Sequence, residues 1–303
     1  MVDIAVLGHI LKEKIIFPDR EIYPVLGSPV AYSSVCMASL GVDVGIVTKI
    51  GKDFPEELLK VFNETKVNIE GIKICNNSTE NKLIYDSKGN KRVEFLSKAD
   101  EINFEDIPDT FLSAKIFTIS PIDYEVRFNT IKSIYNLGRI TVVDIGGYGG
   151  GTSKNHPVLK NGHEIKRICP FFNIVKGSIE DYSHIFGNAV NEVEISKKIL
   201  EWGADISIVT LGSNGSFIRN KDKGEYIPAY PVKPFVDPTG AGDCYLAGFL
   251  ASYLDSKDPF KAGYFGSAVT SYIIERSGGV IATRMPSKSD VLKRINNFKN
   301  VKL

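Results

Sequence analysis

What the chain has little of narrows its function first. Its 37 Lys and Arg stand against 36 Asp and Glu, a formal net charge of +1. No broad surface of one sign is there to attract nucleic acid or a membrane. The four cysteines, Cys36, Cys75, Cys169 and Cys244, show neither CxxC nor zinc-finger spacing, which suits buried thiols in a reducing, cytoplasmic setting. The four histidines, His9, His156, His163 and His184, lack metal-ligand spacing and read as surface or hydrogen-bonded residues. No apolar run is long enough to span a bilayer. The apolar start, 1–10, lacks the basic flank and cleavage site of a signal peptide, so it reads as a buried first strand. There is no GxxxxGK[ST] phosphate loop and no GxSxG elbow. Asp144-Ile145-Gly146-Gly147-Tyr148-Gly149-Gly150-Gly151 is rich in glycine, but Thr152 breaks the GxGxxG spacing. That disfavours a nicotinamide dehydrogenase and leaves a mobile or ligand-facing loop.

What is there describes an α/β protein. With 303 residues, 43% of them hydrophobic, the chain can bury a sizeable core, and α/β folds of this length are often one domain. Strands are expected at Ile4–Leu7, Val44–Lys49, Lys115–Ile119, Ile140–Ile145, Phe172–Val175, Ile206–Thr210, Ser216–Arg219 and Val232–Val236. Helices are expected at 29–40, 54–66, 124–137, 179–186, 190–202, 260–275 and 288–298. This alternation predicts a central, mostly parallel sheet with helices on both faces. Two sections break it. Short strands at 14–17, 21–25, 72–75, 83–85 and 92–95, with a hairpin turn at 86–90, predict a small β-sheet projecting from a single domain over 1–303. About 12–26 and 72–98 would contribute to it.

The rest of the chain serves the stretch around Gly240-Ala241-Gly242-Asp243. A run from Cys244 to Leu254 follows it, apolar on nearly all faces, which marks a buried helix. Its N-terminus therefore points free backbone N–H groups into the protein, where they attract an anion. Asp243, in the first turn, is either a dipole partner of the helix or a general base facing an anionic substrate.

Asp237-Pro238-Thr239-Gly240-Ala241-Gly242-Asp243 resembles the C-terminal signature of the ribokinase-like, or PfkB, family of small-molecule kinases. The resemblance implies that the backbone of Gly240, Ala241 and Gly242 forms an anion hole for the transferred phosphoryl group, and that Asp243 deprotonates the acceptor hydroxyl. Thr210-Leu211-Gly212-Ser213-Asn214-Gly215 could be a plain hairpin turn. Beside the 237–243 string it resembles the family's Thr-x-Gly-x-x-Gly segment, which makes Thr210, Gly212 and Gly215 nucleotide contacts.

Three further sites resemble the family with departures. Gly27-Ser28-Pro29-Val30-Ala31-Tyr32 is similar to a Gly-Gly pair followed four residues later by an acceptor-touching Asn. Ser28 replaces the second glycine and Tyr32 the Asn, which changes the acceptor pocket. Glu13, five residues after Gly8, stands where the family carries a hydroxyl-binding Asp; the alternative is a solvated surface Glu. Lys176-Gly177-Ser178-Ile179-Glu180-Asp181 occupies the place of Asn-x-x-Glu, linked through water to magnesium. Asp181 is the candidate for that role, and Ser178 with Asp181 also fits an ordinary capping box.

The resemblance implies a ribokinase-like fold whose small sheet closes as a lid, and ATP-dependent, magnesium-assisted phosphorylation of a hydroxyl on a small polyol. A sugar or inositol-like cyclitol is the first expectation for the acceptor and a nucleoside the second. A catalytically silent regulator that binds nucleotide and ligand is the reading of a different class; the intact Asp243 argues against it. A monovalent cation as further cofactor is left open. So is a homodimer through the lid, an interface that lid sheets of this family often supply.

Overall fold

Strand and helix alternate in the computed structural model, which describes residues 1–85, 91–153, 163–187 and 190–301. In chain order the strands are β1 (Ile4–Leu7), β2 (Leu11–Ile16), β3 (Glu21–Gly27), β4 (Val44–Gly51), β5 (Asn68–Cys75), β6 (Thr79–Tyr85), β7 (Lys91–Ser97), β8 (Ile116–Ile119), β9 (Ile140–Asp144), β10 (Ile174–Ser178), β11 (Ile206–Thr210), β12 (Ser216–Arg219) and β13 (Gly224–Ile227). The helices are α1 (Pro29–Ser39), α2 (Lys60–Thr65), α3 (Phe128–Tyr135), α4 (His163–Ile168), α5 (Ile179–Phe186), α6 (Glu192–Glu201), α7 (Ala241–Ser256), α8 (Pro259–Ile274) and α9 (Lys288–Val301).

The large sheet runs β13-β12-β11-β10-β9-β8-β1-β4-β5. Its pairs are parallel except β11–β12 and β12–β13. Because side chains alternate along a strand, β1 feeds two cores. Ile4 and Val6 pack with residues of α1, α2, α7, α8 and α9, whereas Ala5 and Leu7 pack with residues of α3, α4, α5 and α6. The strand order reverses at β1, with β4 on one side and β8 on the other. Crevices at such reversals, beyond the strand C-termini, are where ligands bind in these sheets. The ends of β1, β9, β10 and β11 deliver Gly8, Asp144, Ser178 and Thr210 to that edge. The small sheet, β3-β2-β6-β7, stands apart from the large one.

Several expectations need correction. Ile72–Cys75 lies in β5, which pairs with β4 at the edge of the large sheet and not with the small one. The hairpin turn at 86–90 lies outside the described residues. Val232–Val236 is not a strand; Pro231 and Pro234 bring no N–H for a ladder. The strand after β12 is instead β13. The helix expected from Tyr124 begins only at Phe128, because the Glu125 carboxylate takes the N–H groups of Ile122, Asp123 and His9 at 2.8–3.0 Å and holds this segment as a loop. No helix among the described residues is long and apolar enough to cross a membrane.

Candidate active site

The site forms around the start of α7. Cys244 to Ala251 are buried, as an apolar face all round requires, so α7 starts within the protein. Gly240 caps it with φ 75° and no side-chain hydrogen bond to the first turn. A glycine is needed twice over, for that left-handed backbone and for the Tyr32 ring, which lies 2.3 Å from where a Cβ would stand. The Ala241 N–H donates to the Pro238 carbonyl at 3.0 Å. The N–H groups of Gly240, Gly242 and Asp243 have no acceptor among the described residues. Three unclaimed donors at a helix N-terminus make a site for an anion.

Asp243 stands in the first turn beside these donors and is half-buried. Burial raises its pKa to about 7, against the pull of Lys176, and the charges of Asp144, Asp181 and Glu13 push the same way. Lys176, in the middle of β10, lies alongside Asp144 of β9 in register, and its Nζ is 2.6 Å from Asp144 Oδ2. Both side chains are buried. Burial works against the lysine's charge, but Asp144, Asp243 and Asp181 outweigh it, so its pKa ends above the ordinary value. The ammonium also lies 3.3 Å from where a Cβ on Gly242 would be, beside the unclaimed N–H groups.

The candidates for the acceptor lie near the start of α7, with Tyr32 against Gly240 and the Glu13 charge acting on Asp243. Gly27 is flush against Glu13, whose carboxylate lies 2.2 Å from a notional Gly27 Cβ. Glu13 Oε1 accepts a hydrogen bond of 3.0 Å from Asn81 Nδ2. Asn81 Oδ1 is buried with no partner among the described residues, and a buried acceptor of that kind normally has one. Ser28 keeps a backbone suited to glycine, φ 126°, and its hydroxyl caps α1 by accepting from Ala31 N–H. Tyr32 is buried against Gly240, and burial pushes its phenol upward.

Thr210, Gly212 and Gly215 form the tight connection between β11 and β12, closed by a 2.8 Å bond from Leu211 N–H to the Gly215 carbonyl. A notional Cβ on Gly212 meets nothing within 4 Å, so this turn borders open space. Asp181 does form the capping box: its Oδ2 accepts from Ser178 N–H and Oγ at 2.9 and 2.8 Å. Its Oδ1 accepts from Gly151 N–H at 2.7 Å, which explains the glycines of the 146–151 loop as wrapping around this carboxylate. Among the described residues no three His, Cys, Asp or Glu side chains are grouped to hold a metal directly. His9, one of the histidines without metal-ligand spacing, is hydrogen-bonded and buried; His156 lies outside the described residues.

Asn81, Asp144 and the ion pair of Lys176 were not singled out by the motifs. The signal for the pair was a charge directly after apolar strand residues, at Val142-Val143-Asp144 and Ile174-Val175-Lys176. An anion-binding helix end and a carboxylate poised near neutral pH, beside the C-terminal ends of the sheet strands, are the parts of a small-molecule phosphotransferase.

Known proteins give this class a family. Residues 156–286 match the pfkB family carbohydrate kinases. A cytidine kinase of Thermococcus kodakarensis is 31% identical over 258 residues, covering 84% of this chain and 89% of that protein. A nucleoside kinase of Methanocaldococcus jannaschii is 26% identical, covering 90% and 86%. The crystal structure of Xylella fastidiosa fructokinase with bound ATP superposes with a TM-score of 0.82 at 21% identity, over 99% of this chain and all of that one. The chain belongs to the PfkB, or ribokinase-like, family of sugar and nucleoside kinases, and it has that family's fold. Solved kinases of this fold include complexes with ATP.

Proposed function

We propose that the protein transfers the γ-phosphoryl group of ATP to a hydroxyl of a small polyol, residues 1–303 acting as one kinase domain with the small sheet as its lid. The observation that carries this is Asp243, a carboxyl with a pKa of about 7 in the first turn of α7. A general base works best with a pKa near the operating pH, and here it stands beside N–H groups free to take a phosphoryl oxygen. Asp243 accepts the proton of the attacking hydroxyl as the bond to phosphorus forms. The N–H groups of Gly240, Gly242 and Asp243 stabilise the phosphoryl oxygens, and removing one such donor typically costs on the order of 10²–10³ in rate. The Ala241 N–H, already bonded to Pro238, helps shape the turn. Lys176 adds positive charge beside these donors.

Thr210, Gly212 and Gly215 border the nucleotide. Asp181 would be the candidate for a water-mediated contact to a magnesium ion, which would supply charge neutralisation at the phosphates. That fits a donor set with no three-ligand cluster among the described residues and the preference of magnesium for keeping waters. Glu13, Asn81, Gly27, Ser28 and Tyr32 shape the acceptor pocket, and Asn81 Oδ1, buried without a partner among the described residues, accepts from an acceptor hydroxyl. Free thiols at all four cysteines support a reducing, cytoplasmic setting.

For the acceptor we favour a nucleoside over a free sugar or cyclitol. The support is the kinship with proteins named cytidine kinase and nucleoside kinase. A nucleoside presents a ribose diol for Glu13 and Asn81, and an aromatic base that suits the apolar strands of the small sheet. The test is ADP release with ATP and magnesium across cytidine, other nucleosides, sugars and cyclitols, with Asp243→Asn beside the native chain. Nucleoside-stimulated turnover that falls about a thousandfold in the variant is expected. Stimulation by a sugar or cyclitol alone would restore the other acceptor class. ATP binding with no stimulation by any acceptor would favour the silent regulator, and stimulated turnover that survives the substitution would remove Asp243 as base.

A further inference from the structure

Arg284 is the largest fully buried side chain among the described residues, 1% exposed. It ends the 3₁₀ turn Ala282–Arg284 before α9, and nothing in the phosphoryl-transfer scheme above uses it. Its guanidinium donates to four backbone carbonyls drawn from three segments. Nη2 reaches Asp237 at 2.8 Å, Thr239 at 3.0 Å and Ile273 at 3.1 Å; Nε reaches Ile273 and Nη1 reaches Gly279, each at 3.3 Å. The Asp237 carboxylate lies 3.5 Å from Nη2. A buried charge must be paired or fully hydrogen-bonded, and this one is.

Backbone carbonyls converging on one point are the usual ligands of a weakly hydrated cation. Here the point is filled by the chain's own planar, permanently charged group, so these residues do not fit a free monovalent ion. Two of the four carbonyls belong to the loop that leads into Gly240. The Thr239 carbonyl and the Gly240 N–H are the two ends of one planar peptide. A cation holding the oxygen end fixes where the N–H points and polarises it further, as linked hydrogen bonds do.

We infer that Arg284 is a built-in cation that aims the Gly240 N–H at the transferred phosphoryl group, so that the enzyme needs no monovalent metal ion. Arg284 is a positioning residue, acting through the 239–240 peptide. The inference rests on the anion-hole reading for its effect on rate, and on the carbonyl geometry alone for its effect on stability.

The test compares native protein, Arg284→Ala and Arg284→Lys, each as the full chain. Native turnover is expected to be the same in potassium, sodium or tetramethylammonium chloride at equal ionic strength. Arg284→Ala loses kcat by about 10²–10³, the effect of one anion-hole donor, with the acceptor KM nearly unchanged. Millimolar guanidinium chloride then restores at least part of kcat and raises the melting temperature of Arg284→Ala, whereas it does neither for the native chain. Should Arg284→Ala fail to fold, Arg284→Lys carries the test, with a smaller kcat loss at unchanged KM expected from a point charge in place of a fork. Potassium-dependent native turnover, or a folded variant with native kcat, overturns the inference. So does a melting temperature that guanidinium raises with no recovery of kcat, which would make the cation structural only. A native chain that phosphorylated no acceptor would count against the kinase reading instead, and the melting experiment would still decide whether a free guanidinium fills the carbonyl cluster.

Discussion

Lys176 Nζ and Asp144 Oδ2 lie 2.6 Å apart, buried side by side on adjoining parallel strands. The lysine is the cation that Asp144, Asp181 and Asp243 all act on, and it keeps the pKa of Asp243 from rising further under burial. Base and charge balance are therefore set by the same ammonium.

From this follows the first prediction. Lys176→Met takes away the group that lowers the pKa of Asp243, so the acidic limb of the kcat/KM profile, expected near pH 7 in the native protein, moves to higher pH. Each unit of movement costs about tenfold in rate at pH values below the limb. The single variant also strands Asp144, and breaking a buried pair is costly, so Lys176→Met with Asp144→Asn should be measured too. Asp144 itself pushes the pKa of Asp243 up, so Asp144→Asn alone is the reference. An acidic limb at the same pH in the folded double variant as in Asp144→Asn would mean that Lys176 does not tune the base.

Asp243 also makes a prediction about stability. Its folded pKa, about 7, lies above the ordinary carboxyl value of 3.8, so between those values the folded state holds the proton more tightly than the unfolded one. The group's contribution to stability is then greatest below the lower value and is lost as pH rises through the higher. Asp243→Asn should melt a few degrees above native protein at pH 8, with the gap closing toward pH 5, while activity is lost. Functional residues commonly carry such a cost. A gap that widened toward low pH would contradict the raised pKa.

How much of this the residues announce depends on the range of the cause. Gly240 and the apolar run after Asp243 act within a few residues, so the buried helix and its anion-binding end are legible from the string itself. Strand alternation gave the large sheet for the same reason. Lys176 meets Asp144 only because β10 pairs with β9, 32 residues apart, and Arg284 meets Thr239 across 45 residues; no local pattern encodes either meeting. The late start of α3 is similar. Glu125 holds the N–H of His9 from 116 positions away, and that tertiary bond overrides a helical pattern from Tyr124.

The small sheet supplies the last prediction. In-register neighbours on adjacent strands share a face. Glu13 pairs with Asn81 and Asn81 with Phe95; Ile15 pairs with Ile22 and with Leu83, and Leu83 with Val93. One face therefore carries the two polar acceptor candidates and then an apolar strip, of which Ile22, Val93 and Phe95 are exposed. The opposite face carries charge in the alternate positions: Lys12 is buried in ion pairs with Asp53 and Glu80, and Lys14, Lys82, Glu94 and Arg92 follow along the strands. An apolar edge beside a binding site asks for a cover, and we propose the lid of a second copy. Light scattering of the native chain should then give a dimer, and Val93→Glu with Phe95→Glu should give a monomer whose acceptor KM rises about tenfold, the loss of roughly one good contact. A native monomer would refute the dimer. A variant that remained dimeric would move the interface off this face.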